Sequence, residues 1–318
     1  MNQKIAGLAA IAVMMLALLF HFQGEEGLAE QSLFLPELTG ALADVSEIQV
    51  RSLNDGAEVT IRRQEKIWTI VEKDGYPADF AVLAKFLNQL KGLEIEELKT
   101  SIKENHSRLD VADSGLGAGT QVKILPLGLA FIVGKDGAIR GSFVRRDGES
   151  QVYLTHQTIH ADPDGMAWID PVAINIDPAS VVSVSIAQRD ASFLRASRDE
   201  TSGAMILKDI PAGRALRFET VVDGLSRSLL NLRFTDVMPF DEALFANSGV
   251  MKLSTLEGEV ISVTSVEVQG RFLVHIVTPT LSGWQFEVSD YHYGELNKTL
   301  ENLLKPEIAE SELGAGNE

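Results

Sequence analysis

The chain has no cysteine among its 318 residues. Disulfides, thiolate metal sites and a cysteine nucleophile are therefore excluded. Positive charge is also scarce: 28 Lys and Arg face 45 Asp and Glu, giving a formal net charge of −17. That balance opposes binding to nucleic acid, and to anionic lipid head groups beyond any anchor, because both need a cationic surface. Catalytic signatures are missing as well. There is no G-x-S-x-G elbow, no S-x-x-K and no H-E-x-x-H, so no nucleophile–base set can be nominated. After residue 22 no stretch approaches eighteen uninterrupted apolar residues, which limits the chain to one membrane span.

The single long apolar run lies at the start. Residues 5–22 read IAGLAAIAVMMLALLFHF, with His21 as the only readily charged side chain. At about 1.5 Å per residue the run covers roughly 27 Å, close to a hydrocarbon core of about 30 Å. Lys4 precedes it, and Glu25 and Glu26 follow. The positive-inside bias then puts the N-terminus in the cytoplasm and the body outside. A cleaved signal peptide is the competing reading, with Gly27 and Ala29 as the small residues at the cleavage site. Residues 1–23 are expected as a transmembrane anchor and residues 24–43 as a tether.

The remainder is long enough for two domains, and 45% apolar with 23% charged residues is globular composition. Sliding the chain on itself by about 133 to 139 residues brings like elements together. Alternating VSEIQV at residues 45–50 is answered by VVSVSI at residues 181–186. Hairpin-like pairs follow at 58–62 with 67–71 and at 192–196 with 204–207. The period then changes to 3.6. Val82, Leu83, Phe86, Leu87 and Leu90 predict an amphipathic helix bounded by Pro77, Asp79 and Gly92, and Leu216, Val221, Val222, Leu225 and Leu229 predict its counterpart. Short strands at 93–98 and 232–237 come next, then strand-rich blocks punctuated by Asp136-Gly137, Asp147-Gly148, Glu257-Gly258 and Ser282-Gly283. A last helix is expected after Ser289 or Asp290, with Leu296, Leu300, Leu303 and Leu304 as its stripe and Pro306 as its stop. The expected fold is α+β: an N-terminal transmembrane anchor, then two tandem repeats of antiparallel sheet with a packed helix, at residues 44–176 and 177–306. Residues 307–318 are expected as a disordered acidic tail.

Few motifs offer chemistry. Gly115-Leu116-Gly117-Ala118-Gly119 lacks the spacing of a phosphate loop and precedes a strand, so it reads as a flexible loop. His156, His160, Asp162 and Asp164 fall within nine residues and form the best metal candidate, but Pro163 and Gly165 mark a loop whose aspartates serve equally well as caps. Arg140, Arg145 and Arg146 read as solvated hairpin charges, with a basic patch that docks an acidic partner as the alternative. Trp68, Trp168 and Trp284 read as core. No catalytic, cofactor-binding or metal-ligating residue is assigned, and no cofactor.

Several phrases taken together resemble a known bacterial family. They are KIWTIVEKDGYPADFAVLAKFLNQLKGL, HSRLDVADSG, LAFIVGKDGAIRGSFVRRDGESQVYL, AWID and the closing FEVSDYHYGELNKTLENLLKP. Trp68, Tyr76-Pro77-Ala78-Asp79, Gly134-Lys135 and Val144-Arg145-Arg146 are the matching positions, and the likeness covers residues 45–306. On these residues the chain resembles the family catalogued as domain of unknown function 4340. The resemblance implies a single-anchor protein of the bacterial cytoplasmic (inner) membrane, associated with ABC-type export systems of the gliding-motility kind. It supplies no catalytic residues.

The expected function is accordingly a non-enzymatic accessory or scaffold subunit outside the cytoplasm, with the membrane and an ABC-type permease complex as partners and no nucleic acid. A module binding an envelope peptide, glycan or lipid in the groove between the repeats is the alternative. A hydrolase centred on His156, His160, Asp162 and Asp164 comes third.

Overall fold

The structure, a computed structural model, describes residues 32–306. The expected anchor at 1–23, the first part of the tether and the acidic tail lie outside these residues. Among the described residues no helix is long and apolar enough to cross a membrane.

The fold is mostly β. In chain order come β1 (Glu47–Ser52), β2 (Glu58–Gln64), β3 (Ile67–Ile70), β4 (Tyr76–Pro77), α1 (Phe80–Lys91), β5 (Ile95–Leu98), β6 (Thr120–Leu125), β7 (Leu129–Asp136), β8 (Ser142–Arg146) and β9 (Val152–Thr155). Then follow β10 (Val172–Ile174), β11 (Val181–Ala187), β12 (Phe193–Arg198), β13 (Met205–Leu207), β14 (Leu232–Pro239), β15 (Gly249–Thr255), β16 (Val260–Val268), β17 (Arg271–Val277) and β18 (Trp284–Val288), with α2 (Asp290–Leu296) and α3 (Leu300–Leu303) at the end.

These strands form two antiparallel sheets. The first has the order β4-β3-β2-β1-β6-β7-β8-β9-β5, and the second, read from its far end, β13-β12-β11-β15-β16-β17-β18-β14-β10. Leaving out β4 and β10, the two orders are the same, strand for strand. The match even extends into the expected tether: Leu33 bridges Glu94 as Val172 of β10 pairs Arg233, a step of 139 residues on both strands.

By its contacts the chain divides into two compact units. Unit 1 takes the residues up to Glu58 together with Ala81–Pro163, and unit 2 takes Val59–Phe80 together with the residues from Asp164 onward.

In unit 1, β1 and β6 pair from Glu47↔Leu125 to Ser52↔Thr120, burying Ile48, Val50, Val122 and Ile124. Helix α1 buries Leu83, Phe86, Leu87 and Leu90, while Val82 of the expected stripe stays part-exposed. The N-terminal segment buries Phe34, Leu35 and Leu38, and Phe34 N–H donates to Leu93 C=O at 2.7 Å. Loop 99–119 brings Val111 against Ile132 and Val152, with Leu53, Leu109 and Phe143 around them. Within the glycine tract of that loop Gly117 and Gly119 are packed, contrary to the flexible loop expected, while Gly115 and Leu116 are exposed. A Cβ on Gly117 would sit 2.1 Å from Ser107 C=O, and one on Gly134 of β7 would sit 2.2 Å from Leu109 C=O.

In unit 2, β11 lies between β12 and β15. Phe245 of the β14–β15 loop packs on Val266 and Leu273, with Phe240 and Leu244 beside it. The helix expected over residues 216–229 is absent. Only Val222–Arg227 is helical, as a 3₁₀ segment. The reason is local: Ser226 and Ser228 hydroxyls donate to the carbonyls of Asp223 and Leu225. Such bonds compete with the α-helical ladder. The fold class is thus corrected from α+β with a helix on each sheet to mostly β. The terminal helix forms under a Ser289 cap but breaks at Asn297, and a Thr299–Asn302 capping box restarts it as α3.

Candidate functional site

The candidate residues scatter over the fold rather than converge. His156 Nδ1 lies 3.8 Å from Glu96 Oε2, and the Arg140 guanidinium grips the same carboxylate with Nε at 3.0 Å and Nη2 at 2.8 Å. Arg140 holds the Glu96 carboxyl below the usual carboxylate range, first by its hydrogen bonds and further by its charge. A carboxylate so stabilised is a poor general base. Its geometry is that of a clamp between β5 and the β7–β8 turn.

His160 and Asp162 line a cavity of about 370 Å³ with Gly134, Lys135 and Asp136. The Asp136 carboxylate accepts from the buried Ser142 hydroxyl at 2.8 Å. Asp164 is separate from them: its carboxylate accepts from Met166 N–H at 2.9 Å and caps a 3₁₀ turn at Gly165–Trp168. His156, His160, Asp162 and Asp164 therefore form no common ligand set. Among the described residues no group of three or more His, Asp or Glu is placed to hold a metal ion.

Of the three hairpin arginines Arg140 is exposed at its turn, whereas Arg145 and Arg146 are not solvated charges, and the three form no common patch. Arg145 is only 2% exposed. It donates to Val111 C=O from Nε at 3.1 Å and Nη2 at 2.9 Å, to Glu149 C=O from Nη1 at 2.7 Å, and to the Asp113 carboxylate at 2.5 Å. Arg146 emerges on the other face, over the Phe34 ring, and bonds Phe34 C=O at 2.7 Å and the Glu37 carboxylate at 2.9 Å. That bond lowers the Glu37 pKa. Strand alternation separates the neighbours, and a loop that periodicity does not reveal covers Arg145.

In unit 2 the densest aromatic contact surrounds Tyr76 of β4. Its ring lies edge-on to Trp284 at 4.9 Å, Phe234 at 6.0 Å and Phe286 at 6.2 Å. Burial, aided by the Asp170 charge, pushes the Tyr76 phenol up to about 12. Lys73 Nζ meets Asp236 Oδ1 at 2.6 Å nearby, and Arg271 lies between Asp236 and Glu287, donating to Glu287 from Nε at 2.7 Å. Trp68 and Trp168 are buried and Trp284 is half-buried, as a core reading of the tryptophans expects. His275, also buried, stacks on Phe240 at 3.7 Å and bonds Ser282 C=O at 3.0 Å. Neither histidine-stacking nor the Tyr76 cluster announces itself in the sequence, because both join residues far apart along the chain.

No curated protein and no solved structure matches the chain significantly. Residues 68–249, more than half of the chain, match the family described as a domain of unknown function (DUF4340), and that stretch holds Trp68, Tyr76 and the Gly134-Lys135 and Arg145-Arg146 pairs. The chain belongs to that family.

Proposed function

We propose that the chain is a non-enzymatic accessory or scaffold subunit, held at the outer face of the cytoplasmic membrane by residues 5–22 and contacting an ABC-type permease complex. One observation carries the non-enzymatic reading: the charged groups with the best claim to chemistry are committed to the fold. Arg140 and Glu96 clamp β5 to a turn, Arg145 ties down a loop, Arg146 secures the N-terminal segment and Asp164 caps a 3₁₀ turn. The partner class follows from the family resemblance and the location from the apolar run. Tethering raises the local concentration for a membrane partner, so a weak interface suffices.

In-cell crosslinking of the full-length protein in its native host, followed by affinity purification in mild detergent and mass spectrometry, tests this reading. Permease and ATPase subunits are the expected co-purifying proteins. Reproducible recovery of the chain alone would overturn the proposal.

A further inference from the structure

Three features meet at one corner of unit 1. Ser32, the first described residue, accepts from Ile95 N–H at 2.9 Å and so lies alongside the start of β5. The Arg140–Glu96 clamp brings the β7–β8 turn to that same strand. At the tip of the turn, Ile139 is 96% exposed. A lone exposed apolar side chain means little by itself; its setting gives it weight here.

Beside the tip lies a cavity of about 470 Å³, with Phe143 and Leu154 among its walls and Ile139 at its lip, so the apolar surface continues inward. Its charges are compensated, Glu96 by Arg140 and Glu97 by Lys99 at 2.5 Å, in a chain whose net charge is −17. Only residues 23–31 separate the apolar run 5–22 from Ser32. At about 3.3–3.6 Å per residue they reach roughly 30 Å at most. With the run in a bilayer, this corner stays close to the lipid surface.

We propose that the β7–β8 tip, residues 137–140, docks into the interface of a zwitterionic lipid bilayer. Ile139 enters the boundary with the acyl chains and Arg140 stays among the head groups, fixing which side of unit 1 faces the membrane. The inference rests on the membrane-anchored reading above. Lipid is favoured over a protein neighbour because chain length alone brings this corner to lipid, and its compensated rim carries no net charge for an ionic partner to read.

Since the chain has no cysteine, Ile139→Cys and, as a control, Leu116→Cys in the loop before β6 each accept one environment-sensitive fluorophore. Leu116 is 93% exposed. Full-length protein reconstituted in phosphatidylcholine vesicles is expected to show a blue shift at position 139, with quenching by lipid-borne nitroxide, and neither at 116. Solvent-like emission at both positions, with the protein still floating with the vesicles, overturns the docking and leaves the anchor standing. Failure to float overturns both. A shift at 139 in native membranes but not in pure lipid assigns the tip to a protein neighbour and overturns the lipid occupant.

Discussion

At the scale of single residues, Arg145 is the side chain that ties Val111 and Asp113 of loop 99–119 to β8. Replacing it with alanine strands the buried Val111 carbonyl, which it bonds twice, and removes the bond to the carbonyl of exposed Glu149. We expect Arg145→Ala to destabilise the full-length protein by about 3 kcal/mol in denaturant titrations. Asp113→Asn should lose less than about 1 kcal/mol, since its carboxylate side is 69% exposed and screened. The difference between the arginines was not legible in Val144-Arg145-Arg146, where adjacent charges look alike. Alternation says that they face opposite ways, but not which face a distant loop covers. Tyr76 gives a pH test. Its folded pKa of about 12 lies above the ordinary phenol value of 10.0, chiefly through burial. Stability is therefore fully present below pH 10 and is lost as pH rises from 10 through about 12, by up to roughly 2 kcal/mol. Comparing wild type with Tyr76→Phe across that window checks the sign: the variant is expected to lose less.

At the scale of elements, strands were far more legible than helices. Alternation in VSEIQV and VVSVSI places β1 and β11 within a few residues, because one buried face imposes a period of two. The stripe of Leu216, Val221, Val222, Leu225 and Leu229 resembles that of α1, yet serine hydroxyls bind carbonyls that a helix would use. Apolar spacing registers burial; it does not register such competition. The loop over β7–β9 was likewise illegible, since its glycines look like freedom and in fact permit contact. Gly134→Ala drives a methyl into Leu109 C=O and is expected to lower stability by more than about 2 kcal/mol. Gly92→Ala meets only Asn88 C=O at 3.6 Å and should shift the melting temperature little. Thermal melts of both variants decide whether close approach, rather than glycine content, is what matters.

At the scale of the whole molecule, the duplication could be read from the order of elements, and the shared strand order supports it. The membership of residues 59–80 in unit 2 could not be read, because local pairing says nothing about which core receives Tyr76. A fragment beginning at Asp164 lacks that segment and leaves Phe234, Trp284 and Phe286 without Tyr76. It is expected to bind a hydrophobic dye and melt well below the full chain, whereas a self-sufficient second half would melt cooperatively without dye binding. The interleaving also dictates an order of events in chain synthesis. As the polypeptide is made from its N-terminus, β2–β4 emerge early and the strands that receive Tyr76 emerge among the last. For most of synthesis that hairpin waits with its aromatic side chain unclaimed. Unit 2 closes only when nearly the whole polypeptide has been made, so a product truncated before β18 leaves Tyr76 without Trp284 and Phe286.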